Sequence, residues 1–116
     1  MSSLVDRDML LDRVDGDLEF LEETFELLES DGRQLVDELR AAAAAGDQES
    51  LIKKAHTLKG MVSNFCAESV QQAAAEIERQ AREGALDELP QKANDFAISF
   101  DRLCVETRAI TSGEEA

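Results

Sequence analysis

Tryptophan and tyrosine are absent from this chain, and proline and histidine occur once each. Five Phe are its whole aromatic complement, so the core must be built mainly from aliphatic side chains. One proline and few β-branched residues leave helix formers dominant, which argues for an all-α protein. Cysteine is scarce too: Cys66 and Cys104 have no motif spacing. With no export signal visible, they read as free thiols in a cytoplasmic protein. One His and two scattered Cys make no metal site. No apolar run approaches the ~20 residues that span a bilayer. Basic residues are few, 12 against 26 acids, for a formal net charge of −14. Such a field repels nucleic acid and anionic membranes, and neither is expected as a partner. The 116 residues, 43% apolar, suit a single domain over 1–116, with frayed ends at about 1–5 and 112–116.

Asp6 is placed to cap a short helix to about residue 14, before a turn at Asp15 and Gly16. Asp17 caps a long helix that ends at Gly46. Its apolar seam runs Leu21, Phe25, Leu28, Gly32, Leu35, Leu39, Ala42, the 4-3 step of a bundle helix. Gly32 either permits close approach of another helix or marks a kink after Asp31; it costs about 1 kcal/mol relative to Ala. Asp47 caps the next helix, whose inner seam is Leu51, Ala55, Leu58, Val62 and Phe65. A fourth carries Val70, Ala74, Ile77 and Ala81 and stops at Gly84. The last begins near 86–90, with Pro90 tolerated in its first turn, and repeats Leu89, Ala93, Phe96, Phe100, Leu103. Short connections between amphipathic helices predict an antiparallel up-down four-helix bundle, with the short N-terminal helix as a lid.

The single histidine, His56, sits in unusual company. Residues 50–67 hold no Asp or Glu, where the composition leads one to expect about four. The same window holds Lys53, Lys54 and Lys59, three of the four lysines. A lone His on a helix is most often a solvated surface residue. An imidazole in the one basic segment of an acidic chain instead suggests a nucleophile beside a group that acquires negative charge. Ile52, His56, Lys59, Gly60 and Ser63 share one helix face, distinct from the inner seam, so His56 should point outward. A mid-helix Gly60 costs about 1 kcal/mol; its use would be a bare backbone that lets another body reach His56. If the connection centres on Ala67, antiparallel pairing sets His56 level with Glu78. Two readings of Glu78 then stand: it accepts a hydrogen bond from the imidazole, or it is an exposed acid paired with Arg82 four residues on. Arg82 or Arg79 is placed to add positive charge.

The run Ala55-His56-Thr57-Leu58-Lys59-Gly60-Met61-Val62-Ser63 resembles the His-x-Leu-Lys-Gly signature of histidine-containing phosphotransfer (HPt) domains. The likeness extends over almost the whole chain, including the acidic second helix with Phe25. One departure is Cys66, where many members carry Gly. The resemblance implies a phosphorelay intermediate. It would carry a phosphoryl group on His56 and exchange it with aspartates of receiver domains, in a hybrid histidine kinase or a response regulator. Lys59 would stabilise the phosphoryl charge, Gly60 would give access, and Glu78 matches a Glu or Gln bonded to the imidazole. Arg82 matches a position that is basic in some members. No cofactor is implied for this chain; Mg²⁺ and most of the catalysis would belong to the receiver. The chain would be a carrier, not a kinase: its six glycines are isolated, so it has no Gly-rich nucleotide loop. Ile52, Met61 and Ser63 are the expected docking residues, with help from the first helix, and a monomer is the expected state. The rival readings are an HPt-like or dimerisation segment of a sensor kinase, and a non-catalytic helical adaptor. The dimerisation segment usually has an acid after its His, where Thr57 stands here.

Overall fold

Three aspartates start helices where the sequence places them. Asp6 Oδ1 accepts from Met9 N at 3.1 Å, Asp17 Oδ1 from Phe20 N at 3.0 Å, and Asp47 Oδ1 from Ser50 N at 3.2 Å. Each cap has extended backbone and satisfies one of the first-turn amides that lack a partner in the helix. The computed structural model describes residues 3–113, which are all-helical with no strand among them. The helices are α1 (Arg7–Arg13), α2 (Leu18–Leu27), α3 (Arg33–Ala45), α4 (Gln48–Val62), α5 (Glu68–Arg82) and α6 (Leu89–Ser112). Gly46 and Gly84 end α3 and α5 with φ of +67° and +76°, a conformation glycine adopts without a side-chain penalty. Among the described residues, no helix is long and apolar enough to cross a membrane.

The expected single helix from Asp17 to Gly46 is interrupted. Leu28–Gly32 forms one π-helical turn between α2 and α3, which inserts an extra residue into the repeat. The seam moves at one position: Val36 is buried and the expected Leu35 only half-buried, while Leu39 and Ala42 are buried as read. Gly32 is buried against α6. A Cβ there would stand 2.8 Å from Phe100 Cζ. Of the two readings of Gly32, close approach is realised, and the irregular turn that ends at the same residue interrupts the helix there. The seams expected for α4, α5 and α6 are buried as read, from Leu51 through Phe65, Val70 through Ala81 and Leu89 through Ile110.

Helices α4 and α6 each pack on both α3 and α5, so α4 and α6 sit on a diagonal, and α2 leans on α6. Helix α1 covers the turn between α4 and α5. Its start is tied there by Asp6 N donating to Cys66 O at 2.9 Å, and its end by Arg13 Nη1 donating to Ser63 O at 3.3 Å. The fraying expected over 1–5 does not reach Val5, which is 3% exposed and donates its N–H to Glu106 Oε1 at 2.9 Å. Leu4 also packs partly against the core, and at the other end Ser112 is still within α6; residues 1–2 and 114–116 lie outside the described residues.

Cys66 ends the short 3-10 turn Ser63–Phe65 with φ +54° and ψ 42°, in the left-handed region. A side chain there costs roughly 1–2 kcal/mol, which gives the resemblance's preference for Gly a physical reason. Its backbone carbonyl, not its side chain, holds α1. Cys66→Gly is therefore expected to stabilise the fold by about 1 kcal/mol. Chemical denaturation checks this; a less stable Gly variant would show that thiol packing outweighs the backbone strain.

Candidate functional site

Helix α4 presents two faces. Its apolar seam turns into the bundle, and the opposite stripe carries Ile52, His56, Lys59, Gly60 and Ser63 outward. The His56 side chain is 63% exposed. Gly60 is also exposed, and a Cβ built on it meets nothing within 4 Å. Ser63 Oγ is turned back to the helix, donating to Gly60 O at 2.7 Å. Ile52 is half-buried at the edge of the stripe. Met61 does not join them. Five residues of helix turn it about 140° from His56, and it packs partly against the core.

Helix α5 supplies the partner. The register centred on Ala67 holds: His56 Nδ1 lies 3.1 Å from Glu78 Oε2. The partners of both readings of Glu78 meet on one oxygen. Oε2 also accepts from Arg82 Nε at 3.1 Å and Nη2 at 2.8 Å. Lys59 Nζ sits 2.9 Å from the other oxygen, Oε1. Its approach is that of an ion pair, since Oε1 has no well-aligned hydrogen-bond donor. Glu78 is not the exposed acid of the second reading, because its side chain is only 8% exposed. Arg79, the other candidate cation, turns away and pairs with Glu76 and Glu83 at 2.7 and 2.8 Å.

Burial pushes the Glu78 carboxyl up, but the Lys59 ammonium, Arg82 and His56 against it outweigh that and hold it at about 2. The sign follows for stability. A depressed carboxyl stabilises the fold fully above its unfolded value, and this is lost as pH falls through about 2. The ionised carboxylate has no proton to donate, so the proton in the His56 contact resides on Nδ1. The neutral ring then keeps its lone pair on Nε2, directed away from Glu78.

That assignment is measurable because His56 is the only histidine. Long-range ¹⁵N–¹H spectra are expected to show a protonated Nδ1 and an unprotonated Nε2 in the neutral ring. In Glu78→Ala the Nε2–H tautomer should grow, since imidazole without a partner favours it. Losing hydrogen bonds to a charged group should also cost about 1.5–3 kcal/mol. An unchanged tautomer ratio would mean that Glu78 does not orient the ring.

The first helix borders the site as expected, and sequence reasoning missed only the wall that α5 sets opposite it. Met9 and Arg13 of α1 face Gln71, Gln72 and Ala75 of α5 across a hollow of about 410 Å³ that also takes in Lys59 and Ser63. The register was the available signal. The pairing that sets His56 level with Glu78 also sets 59–63 level with 71–75.

A family model for the Hpt domain matches residues 19–106. The chain belongs to the Hpt domain family. Histidine phosphotransfer in phosphorelay signalling is accordingly its function, and Hpt domains work there with receiver domains. The fold of this Hpt domain is also similar to a crystal structure of histidine-containing phosphotransfer protein B from Pseudomonas aeruginosa PAO1. The two share 25% identity and a TM-score of 0.78, over 99% of this chain and 100% of that one. None of the curated proteins compared with this Hpt domain matches it.

Proposed function

We propose that this Hpt domain carries its phosphoryl group on Nε2 of His56 and exchanges it reversibly with aspartates of receiver domains, in a hybrid histidine kinase or a response regulator. One observation carries the reading. The ring is held through Nδ1 by the buried Glu78, while Nε2 sits on a side chain that is 63% exposed. In the transfer, Nε2 bonds to phosphorus as the bond from phosphorus to the aspartyl oxygen breaks, and the receiver's carboxylate leaves. In this reading Lys59 turns from Glu78 Oε1 to the phosphoryl oxygens, and Arg82 keeps Glu78 in place. Gly60, Ile52 and Ser63 offer the receiver a low, mixed surface around the ring; Met61 stands behind it and contributes least. Mg²⁺ and most of the catalysis belong to the receiver, and the chain is a carrier without kinase activity of its own.

The arrangement fits an antiparallel up-down four-helix bundle with α1 as an added lid. The transfer unit is one chain with one receiver, in the cytoplasm, with neither nucleic acid nor membrane as partner; the net charge of −14 supports both exclusions. Incubation with a radiolabelled receiver phosphate tests the whole reading. Label is expected to pass to this chain and back to an unlabelled receiver. A folded protein that binds the receiver and takes no label would be an adaptor.

A further inference from the structure

We infer that the outer face of α6 pairs two copies of this chain side by side and parallel, leaving both His56 rings free. Ile98 and Val105 are large aliphatic side chains left 63% and 69% exposed. They stand seven residues apart, so at about 100° per residue they lie within about 20° of one line along the helix. Among the described residues no other helix covers that line, and the two side chains together form one apolar stripe along it.

The charges between them say what covers it. Asp101 and Arg102 fall about 50° to either side of the Ile98–Val105 line. In a parallel two-fold pair, the left flank of one helix meets the right flank of the other. Asp101 then faces the partner copy's Arg102, and the contact occurs twice by symmetry. An antiparallel pair would set Asp101 against Asp101 and Arg102 against Arg102. The surface is thus self-complementary in one orientation and self-repelling in the other.

Both groups have intramolecular partners, Asp101 with Arg33 at 2.7 Å and Arg102 with Glu106 at 3.6 Å. The first pair is exposed and the second partly so, and a carboxylate and a guanidinium each take more than one partner. Val105 also borders two shallow hollows, of about 490 and 220 Å³, that give room for the opposing side chains. Two aliphatic residues per copy make a small interface, so the dissociation constant should be on the order of 1 mM. The charge of −14 on each copy opposes approach at low salt. Pairing should therefore strengthen as salt screens the long-range repulsion. Helices α4 and α6 are diagonal, so the pair is back to back and does not obstruct His56.

Sedimentation equilibrium of the full chain near that concentration is expected to show roughly half of it paired. Val105→Asp should lower the association at least about tenfold, with the rate of label transfer to His56 unchanged. The orientation is read by cross-linking in a Cys66→Ser background, where Cys104 is 3% exposed and out of reach. Ile98→Cys and Val105→Cys should each form disulfide-linked pairs with themselves. Both should do so faster than Leu27→Cys, which is as exposed as Ile98 at 63% but lies on α2. A chain that stays at 12.8 kDa at that concentration overturns the inference. Association indifferent to Val105→Asp overturns it as well. So does a mixture of the two cysteine variants that links mainly Ile98→Cys to Val105→Cys, the product of an antiparallel pair.

Discussion

His56→Gln should take up no label at all from a phosphorylated receiver, while folding like the parent. The side chain is 63% exposed on the outer stripe of α4, so its loss leaves no cavity in the core. Glutamine keeps a polar group that can still meet Glu78, but an amide nitrogen is not a nucleophile toward phosphorus. Lys59 is the nearest alternative nucleophile, and its nitrogen is engaged with Glu78 Oε1 at 2.9 Å. The label on the parent should also behave as a phosphoramidate, lost in acid and kept in base, the reverse of an aspartyl phosphate. Residual uptake by the Gln variant, or label that survives acid, would place the phosphoryl group elsewhere.

Much of this molecule is legible in its sequence because the signals are local. An aspartate cap needs only its own first turn, and Asp6, Asp17 and Asp47 all act as read. The apolar repeats of α4, α5 and α6 likewise name their own buried faces. Legibility fails where two helices decide together. Leu35 and Val36 are adjacent and both apolar, so the seam has two continuations past Gly32. Val36 takes the buried place just past the π-helical turn at Leu28–Gly32, where Gly32 packs against Phe100 about 70 residues away. Glu78 shows the same limit. Spacing leaves the acid to either His56 or Arg82, because burial depends on how α4 and α5 meet. Once it is buried, one oxygen serves both. Val5 reads as fringe because two apolar residues, Leu4 and Val5, near a terminus make no period. Its place is fixed by Glu106, on the far end of the chain.

Two glycines set inside helical stretches separate packing from access. Gly32 is buried, and a Cβ there would collide with Phe100; Gly32→Ala tests only the fold. At Gly60 a Cβ would meet nothing within 4 Å of its own chain. The fold therefore places no demand for glycine at that position, and Ala should stabilise α4 by about 1 kcal/mol. Any demand must come from a body that is absent from the free chain. Gly60 lies one turn beyond His56 on the same face, so a receiver whose aspartyl phosphate reaches Nε2 must pass over its backbone. A long side chain there lifts the receiver away from the ring. Displacement by about 1 Å from the in-line geometry costs on the order of 10²-fold in rate. Gly60→Gln should therefore keep the parent's helical spectrum and melt no lower, while slowing transfer by about that factor. Gly60→Ala should melt higher and transfer at a rate between the two. Single-turnover label transfer from one receiver to all three proteins decides it. Equal rates for Gly60→Gln and the parent would mean that the receiver approaches His56 from the Ile52 side, and the glycine would be left without a role.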